Sequence, residues 1–310
     1  MRQTCCTFMM LLLLVSTGTA VAQTIDAGRG ELPVHVPSGY DSETPAPLIL
    51  LLHGYTASGA QQDAYFSLSG LVDDYGFILV APDGAEEASE RRSRFWNASS
   101  SCCNFFGSDV DDVAYLTRLI DAVKAEYAID DSRIALFGHS NGGFMSYRMA
   151  HDRSGIIAAM ASLAGADQSG SPANPVHVLQ IHGTADTVIA YEGGSFRGGE
   201  AHPGARASVE AWARHNGCSG EGVATGTLDL DRGLDGLETD VTRYTSGCRP
   251  GGAAELWTIN GGGHGPAVSD HFSRLVVEWL LALCEWCCGT DKKRRLQPCR
   301  VIRFGRALRN

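Results

Sequence analysis

The chain has 310 residues, 44% of them hydrophobic and 19% charged, which is ordinary globular composition with enough apolar residues to bury a sizeable core. The formal charge of −10 is uneven: residues 291–310 hold eight Lys or Arg against one acid, leaving the rest at about −17. An acidic body argues against nucleic acid as a partner.

The opening "MRQTCCTFMMLLLLVSTGTAVAQ" has a basic start at Arg2, a short apolar run from Phe8 to Val15, and an Ala20-Val21-Ala22 cleavage signal. This order predicts a secretory signal peptide over residues 1–22, too short to span a bilayer. The expected product is exported, extracellular or periplasmic, with no membrane insertion. Cys5 and Cys6 leave with the leader, so eight of the ten cysteines remain. An even number in an exported chain favours disulfides over metal, without giving the pairing.

Beyond the leader, one catalytic domain is expected over 23–284. Continuous apolar runs at Pro47–Leu52, Gly76–Ala81, Arg133–Phe137, Ile156–Ala164, Val176–Ile181 and Ala254–Ile259 read as buried strands. Between them, Val110–Tyr127, the stretch from Gly142, Ala207–Asn216 and Phe272–Leu283 read as helices. The alternation predicts an α/β class, with a mostly parallel sheet covered by helices on both faces. Glu86–Ser108 and Ser219–Gly236 lack periodic apolar positions and read as long loops over the sheet. Residues 285–310 turn Cys-rich and then basic. They are expected to be a disordered or non-native tail, and the Cys284-x-x-Cys287-Cys288 spacing at its junction with the domain lacks the second clean pair that a metal site needs.

The chemistry concentrates around "ALFGHSNGGFMSYRM". A strand runs into Gly138-His139-Ser140-Asn141-Gly142 and a helix runs out. In that context the glycines permit a sharp turn that lifts the Ser140 hydroxyl above the strand ends, and the helix N-terminus brings N–H groups and a positive dipole to a developing oxyanion. Serine is a weak nucleophile without a histidine base and a carboxylate to orient it. The next strand, "VHVLQIHG", leads into Asp186, and "ELWTING" leads into a glycine loop carrying His264. The order Ser140, Asp186, His264 is the one an α/β-hydrolase requires. His182 precedes the acid and reads as structural or pocket-lining. For the oxyanion hole, the Asn141 N–H follows the nucleophile directly, and "LLHGYTASG" offers the Tyr55 N–H, with Thr56 next.

These residues carry a resemblance. "LLHGYTASG", "APDG", "FWNASSSCCNFFGSDVDDVAYL", "IALFGHSNGGFMSYRMA", "QIHGTADTVIAYEGG", "HNGC" and "WTINGGGHGPA" occur in the order found in the secreted polyhydroxybutyrate depolymerase and feruloyl esterase group of α/β-hydrolases, across about Pro33 to Leu283. The resemblance implies a Ser140, Asp186, His264 triad and no metal or organic cofactor. It also implies substrate contacts from Trp96 and Tyr191, to which His139, beside the nucleophile, is added. It further implies a Cys218–Cys248 disulfide, while the state of Cys102 and Cys103 stays open. Asn97-Ala98-Ser99 is a glycosylation sequon.

The expected function is a secreted serine esterase acting on polyhydroxyalkanoate or other polyester, or on feruloyl or acetyl esters of plant wall. The rivals are a serine peptidase of the same fold and a catalytically inactive hydrolase-fold binding protein. The sequence sets no oligomeric state.

Overall fold

The structure is a computed structural model that describes residues 23–167 and 170–282. The expected leader and the expected tail lie outside the described residues. A ten-stranded sheet is built from β1 (Thr24–Asp26), β2 (Glu31–His35), β3 (Ala46–Leu52), β4 (Ile78–Val80), β5 (Ile129–His139), β6 (Ala159–Leu163), β7 (His177–Gly183), β8 (Val223–Leu228), β9 (Thr239–Tyr244) and β10 (Ala254–Ile259). Its order is β1-β2-β4-β3-β5-β6-β7-β10-β9-β8. The six strands from β4 to β10 in that order run parallel, and antiparallel pairs close both ends.

The helices are α1 (Gly59–Phe66), α2 (Val72–Tyr75), α3 (Asp112–Glu126), α4 (Asn141–Asp152), α5 (Ala205–His215) and α6 (Phe272–Leu281). The run "APLILLL" has no polar position because both faces of β3 are covered. Leu48, Leu50 and Leu52 face the layer that holds Leu116 of α3, Phe144 of α4 and Trp212 of α5. Ile49 and Leu51 face the opposite layer with Phe66 of α1 and Phe272 and Val276 of α6. This is the mostly parallel, doubly covered sheet that the apolar runs predict, and the α/β-hydrolase fold that the resemblance implies. Among the described residues no helix is long and apolar enough to cross a membrane.

The sequence reading fails at the margins. β8 lies inside the expected Ser219–Gly236 loop. It is an edge strand exposed along nearly its whole length, so it lacks the buried alternation that marks a strand in sequence. The Glu86–Ser108 loop contains a short ladder between Ala85–Glu86 and Arg94–Phe95, which matters for the site below.

Cys218 and Cys248 are joined, closing a loop across β8 and β9. Constraining about 30 residues stabilises by roughly 3–4 kcal/mol in the chain-entropy model. Cys102 and Cys103 are also joined. The sequon asparagine is engaged within the fold: Asn97 Nδ2 donates to Val110 O at 2.9 Å and its Oδ1 accepts from Asn104.

Candidate active site

The site lies where the parallel strands end. β5 stops at His139, and Ser140 turns the chain into α4 with φ 52° and ψ −119°. For a residue with a side chain this conformation costs roughly 1–3 kcal/mol. The Ser140 N–H donates to Leu163 O at 2.8 Å, which ties the turn to β6. The flanking glycines answer to close approach: a Cβ on Gly138 would overlap the Gly142 carbonyl, and one on Gly142 would overlap the Leu52 carbonyl. Larger residues would force the turn off the sheet.

Three side chains from three strand ends meet here. Ser140 Oγ lies 2.9 Å from His264 Nε2, and His264 Nδ1 lies 2.8 Å from Asp186 Oδ2. With the Nδ1 proton donated to the carboxylate, Nε2 is free to accept the serine proton. The Asp186 carboxylate is fully buried, whereas the His264 side chain is 21% exposed, so the imidazole is reachable from outside while its partner stays dry. Burial pushes the Asp186 carboxyl up. Hydrogen bonds from His182 and His264, the His264 charge and the Val188 amide outweigh it and leave the group below the ordinary carboxylate range.

The loop carrying His264 is fastened from several sides. Tyr65 of α1 donates its hydroxyl to Pro266 O at 2.5 Å. Asp231 Oδ1 accepts from the Ala267 N–H at 3.0 Å, and Thr184 Oγ1 accepts from the Gly261 N–H at 2.8 Å. The loop that holds Asp231 therefore braces the loop that carries His264. The sequence signals nothing of this beyond an Asp in a polar, glycine-containing stretch.

The His53–Thr56 loop passes directly over the turn, since a Cβ on Gly54 would stand 3.5 Å from the Ser140 Cβ. The Thr56 N–H already donates to Arg94 O at 2.8 Å, so of the two amides expected here as oxyanion donors Tyr55 remains the candidate. His53 pins the loop. Its Nδ1 donates to Gly54 O and its Nε2 accepts from the Gly84 N–H, both at 2.8 Å.

Three expected substrate contacts are placed differently. Trp96 is fully buried; its indole N–H donates to His53 O at 3.0 Å and its ring stacks against Tyr115. It cannot wall a cleft; it packs behind the His53–Thr56 loop. Tyr191 is 9% exposed, bonds Thr258 Oγ1 through its hydroxyl at 2.9 Å, and sets its ring edge-on to His182. It backs the acid rather than facing substrate. His139 turns to the base loop, where its Nε2 donates to His264 O at 3.0 Å. In each case a ring nitrogen or hydroxyl is satisfied by another group of the protein.

Asn141 has a second task. Its Oδ1 accepts from the Trp96 N–H at 2.7 Å and its Nδ2 donates to Trp96 O at 3.0 Å. Asn141 thus holds the ladder at Arg94–Phe95, which in turn holds Thr56.

The exposed aromatics near the site are elsewhere. Phe105, 36% exposed, lies 5.2 Å from the Tyr55 ring and 5.9 Å from that of Phe196. The Arg197 guanidinium stands over both phenylalanines. Phe105 and Arg197 border an open cleft of about 540 Å³ lined also by Asn104 and Arg148.

Burial pushes His53, His139 and His177 each down to about 4. The unfolded chain binds these protons near the ordinary 6.5, so it holds more protons than the fold between the two values. Their effect on stability is absent above pH 6.5 and grows unfavourable as pH falls toward 4. The urea midpoint is expected to drop between pH 7 and pH 4.5, and to drop less in His177→Phe, which removes one of the three groups away from the site. Equal drops in the two proteins would contradict this.

The family described as chlorophyllase matches residues 32–197, more than half of the chain. Feruloyl esterase B of Piromyces equi is 30% identical over 242 residues, covering 74% of this chain and 42% of that protein. Poly(3-hydroxyalkanoate) depolymerase C of Paucimonas lemoignei is 26% identical over 287 residues, covering 83% of this chain and 65% of that protein. The chain thus spans less than two thirds of the length of either relative. Acetyl xylan esterase from Aspergillus awamori superposes with a TM-score of 0.57 at 15% identity, covering 83% of this chain and 98% of that one, which shows the shared fold.

Proposed function

The chain belongs to the chlorophyllase family, with an α/β-hydrolase fold, and from that premise we propose that it is a secreted serine carboxylic-ester hydrolase. The observation that carries the reading is the unbroken relay of 2.9 and 2.8 Å from Ser140 through His264 to buried Asp186. Ser140 Oγ attacks the ester carbonyl carbon while His264 Nε2 takes its proton. The amides of Asn141 and Tyr55 receive the oxyanion. Collapse of the tetrahedral species expels the alcohol, protonated by His264, and leaves an acyl-Ser140 ester. Water activated by the same histidine releases the acid. The catalytic unit is residues 23–284, exported after cleavage near Ala22.

For the substrate, the exposed ring of Phe105 beside Tyr55, backed by the half-buried ring of Phe196, favours an ester with a planar aromatic acyl group, of the kind the feruloyl esterase relative is named for. The expected ranking of kcat/KM is methyl ferulate above acetylated xylan and 3-hydroxybutyrate oligomers, with a peptide anilide unreactive. Phe105→Ala should raise KM for methyl ferulate severalfold and leave turnover of p-nitrophenyl acetate unchanged. A preference for the oligomers, insensitive to Phe105, would move the assignment to polyesters.

A further inference from the structure

Behind Asp186 runs a file of buried polar side chains that acyl transfer does not itself consume. The Tyr147 hydroxyl donates to Gln180 Oε1 at 2.9 Å. Gln180 Nε2 donates to Gly165 O at 2.9 Å and meets His182 Nδ1 at 2.9 Å. Tyr147 and Gln180 have no exposed surface, and His182 has 1%.

These contacts fix the protonation pattern. A backbone carbonyl only accepts, so the Gln180 nitrogen must face Gly165 and its oxygen must face Tyr147. The second amide hydrogen then points at His182 Nδ1, which must be the nitrogen with the lone pair. The ring proton therefore sits on Nε2. That nitrogen stands 2.8 Å from Ile189 O and 3.3 Å from Asp186 Oδ2, and its N–H is shared between them. Asp186 Oδ1 is already held by the Val188 and Ile189 amides at 2.8 and 2.9 Å. Oδ2 thus receives two histidines, His182 from beneath and His264 from the site.

We propose that His182 is a positioning residue for the reaction: its Nε2–H, locked by Gln180 and Tyr147, holds the Asp186 carboxylate in the orientation that meets His264 Nδ1. A buried carboxylate needs a donor for each lone pair that water would otherwise satisfy. At this depth His182 supplies one without admitting water. Tyr191, edge-on at 5.7 Å, closes the pocket around the ring. The inference rests on the Ser140, His264, Asp186 chemistry proposed above.

The test compares His182→Asn with His182→Gln in the full chain, on p-nitrophenyl acetate. Both lose the ring, so any loss of stability is common to the pair. Glutamine can extend an N–H to where Nε2 stands, and asparagine is too short. His182→Asn is expected to lower kcat by about 10- to 100-fold, as a misplaced catalytic group does, with KM within about twofold. His182→Gln should regain most of that loss. In an Asp186→Ala background, His182→Asn should cost nothing further, because the group it acts through is gone. Equal kcat for the two variants, or an undiminished cost in the Asp186→Ala background, would overturn the role. The two readings fail differently. Activity retained by Ser140→Ala sinks the underlying chemistry, whereas an inactive Ser140→Ala beside a fully active His182→Asn sinks only the role of His182.

Discussion

Replacing Ser140 with alanine is expected to lower kcat on a p-nitrophenyl acyl ester by about five to six orders of magnitude, with KM little changed. Removing Oγ leaves His264 and Asp186 hydrogen-bonded to each other at 2.8 Å, and leaves the amides of Asn141 and Tyr55 where they are. What survives is the modest rate that oxyanion stabilisation and binding supply without a nucleophile. Because the three groups act as a unit, His264→Ala should cost about as much as Ser140→Ala, and the double variant little more than either. Asp186→Asn should cost roughly 10⁴-fold, since an amide can donate to Nδ1 and so favour the imidazole tautomer with its proton on the wrong nitrogen. Steady-state rates check the magnitudes. Labelling with a fluorophosphonate checks the atom: wild type should carry one adduct on Ser140, and the alanine variant none. An active alanine variant, or an adduct elsewhere, would overturn Ser140 as the nucleophile, whereas a wild type that takes no adduct would favour the inactive-hydrolase reading.

The central strands and the three proposed catalytic side chains were legible in sequence for a local reason. Each side chain follows directly on a buried apolar run, so the strand that aims it and the residue itself lie within a few positions. Leu48 to Leu52, alternating between two covered faces, announces its strand without any partner being known. What supports the site was not legible, because those contacts are distant in sequence. The Asn141 side chain reaches Trp96 across 45 positions, and Tyr65 reaches Pro266 across 201. Trp96 and Tyr191 were expected at the substrate from the family resemblance, and His139 from its place beside Ser140. Neither ground says which way a ring turns, and each turns inward to a carbonyl or hydroxyl acceptor. Edge strand β8 escaped for the opposite reason: exposed on both sides, it carries no burial pattern to read.

Trp96 gives the clearest means of separating a buried brace from a cleft wall. Its side chain is among the largest fully buried ones and lies between His53 and Tyr115. Trp96→Ala should lower unfolding stability by about 3–5 kcal/mol, through lost burial and the cavity left behind. Trp96→Phe keeps a ring but removes the indole N–H. It would leave the buried His53 carbonyl without that donor, at a cost of roughly 1–3 kcal/mol. The functional consequence runs through the same carbonyl. His53 begins the loop that carries the Tyr55 amide, so loosening it weakens oxyanion stabilisation for every ester alike. Trp96→Phe is therefore expected to lower kcat by a similar factor on methyl ferulate and on p-nitrophenyl acetate, with an earlier urea midpoint. A cleft wall would behave otherwise, with an unchanged midpoint and a KM that rises for the bulky ester alone. Urea unfolding and the two steady-state assays, run on the same preparations, distinguish the outcomes.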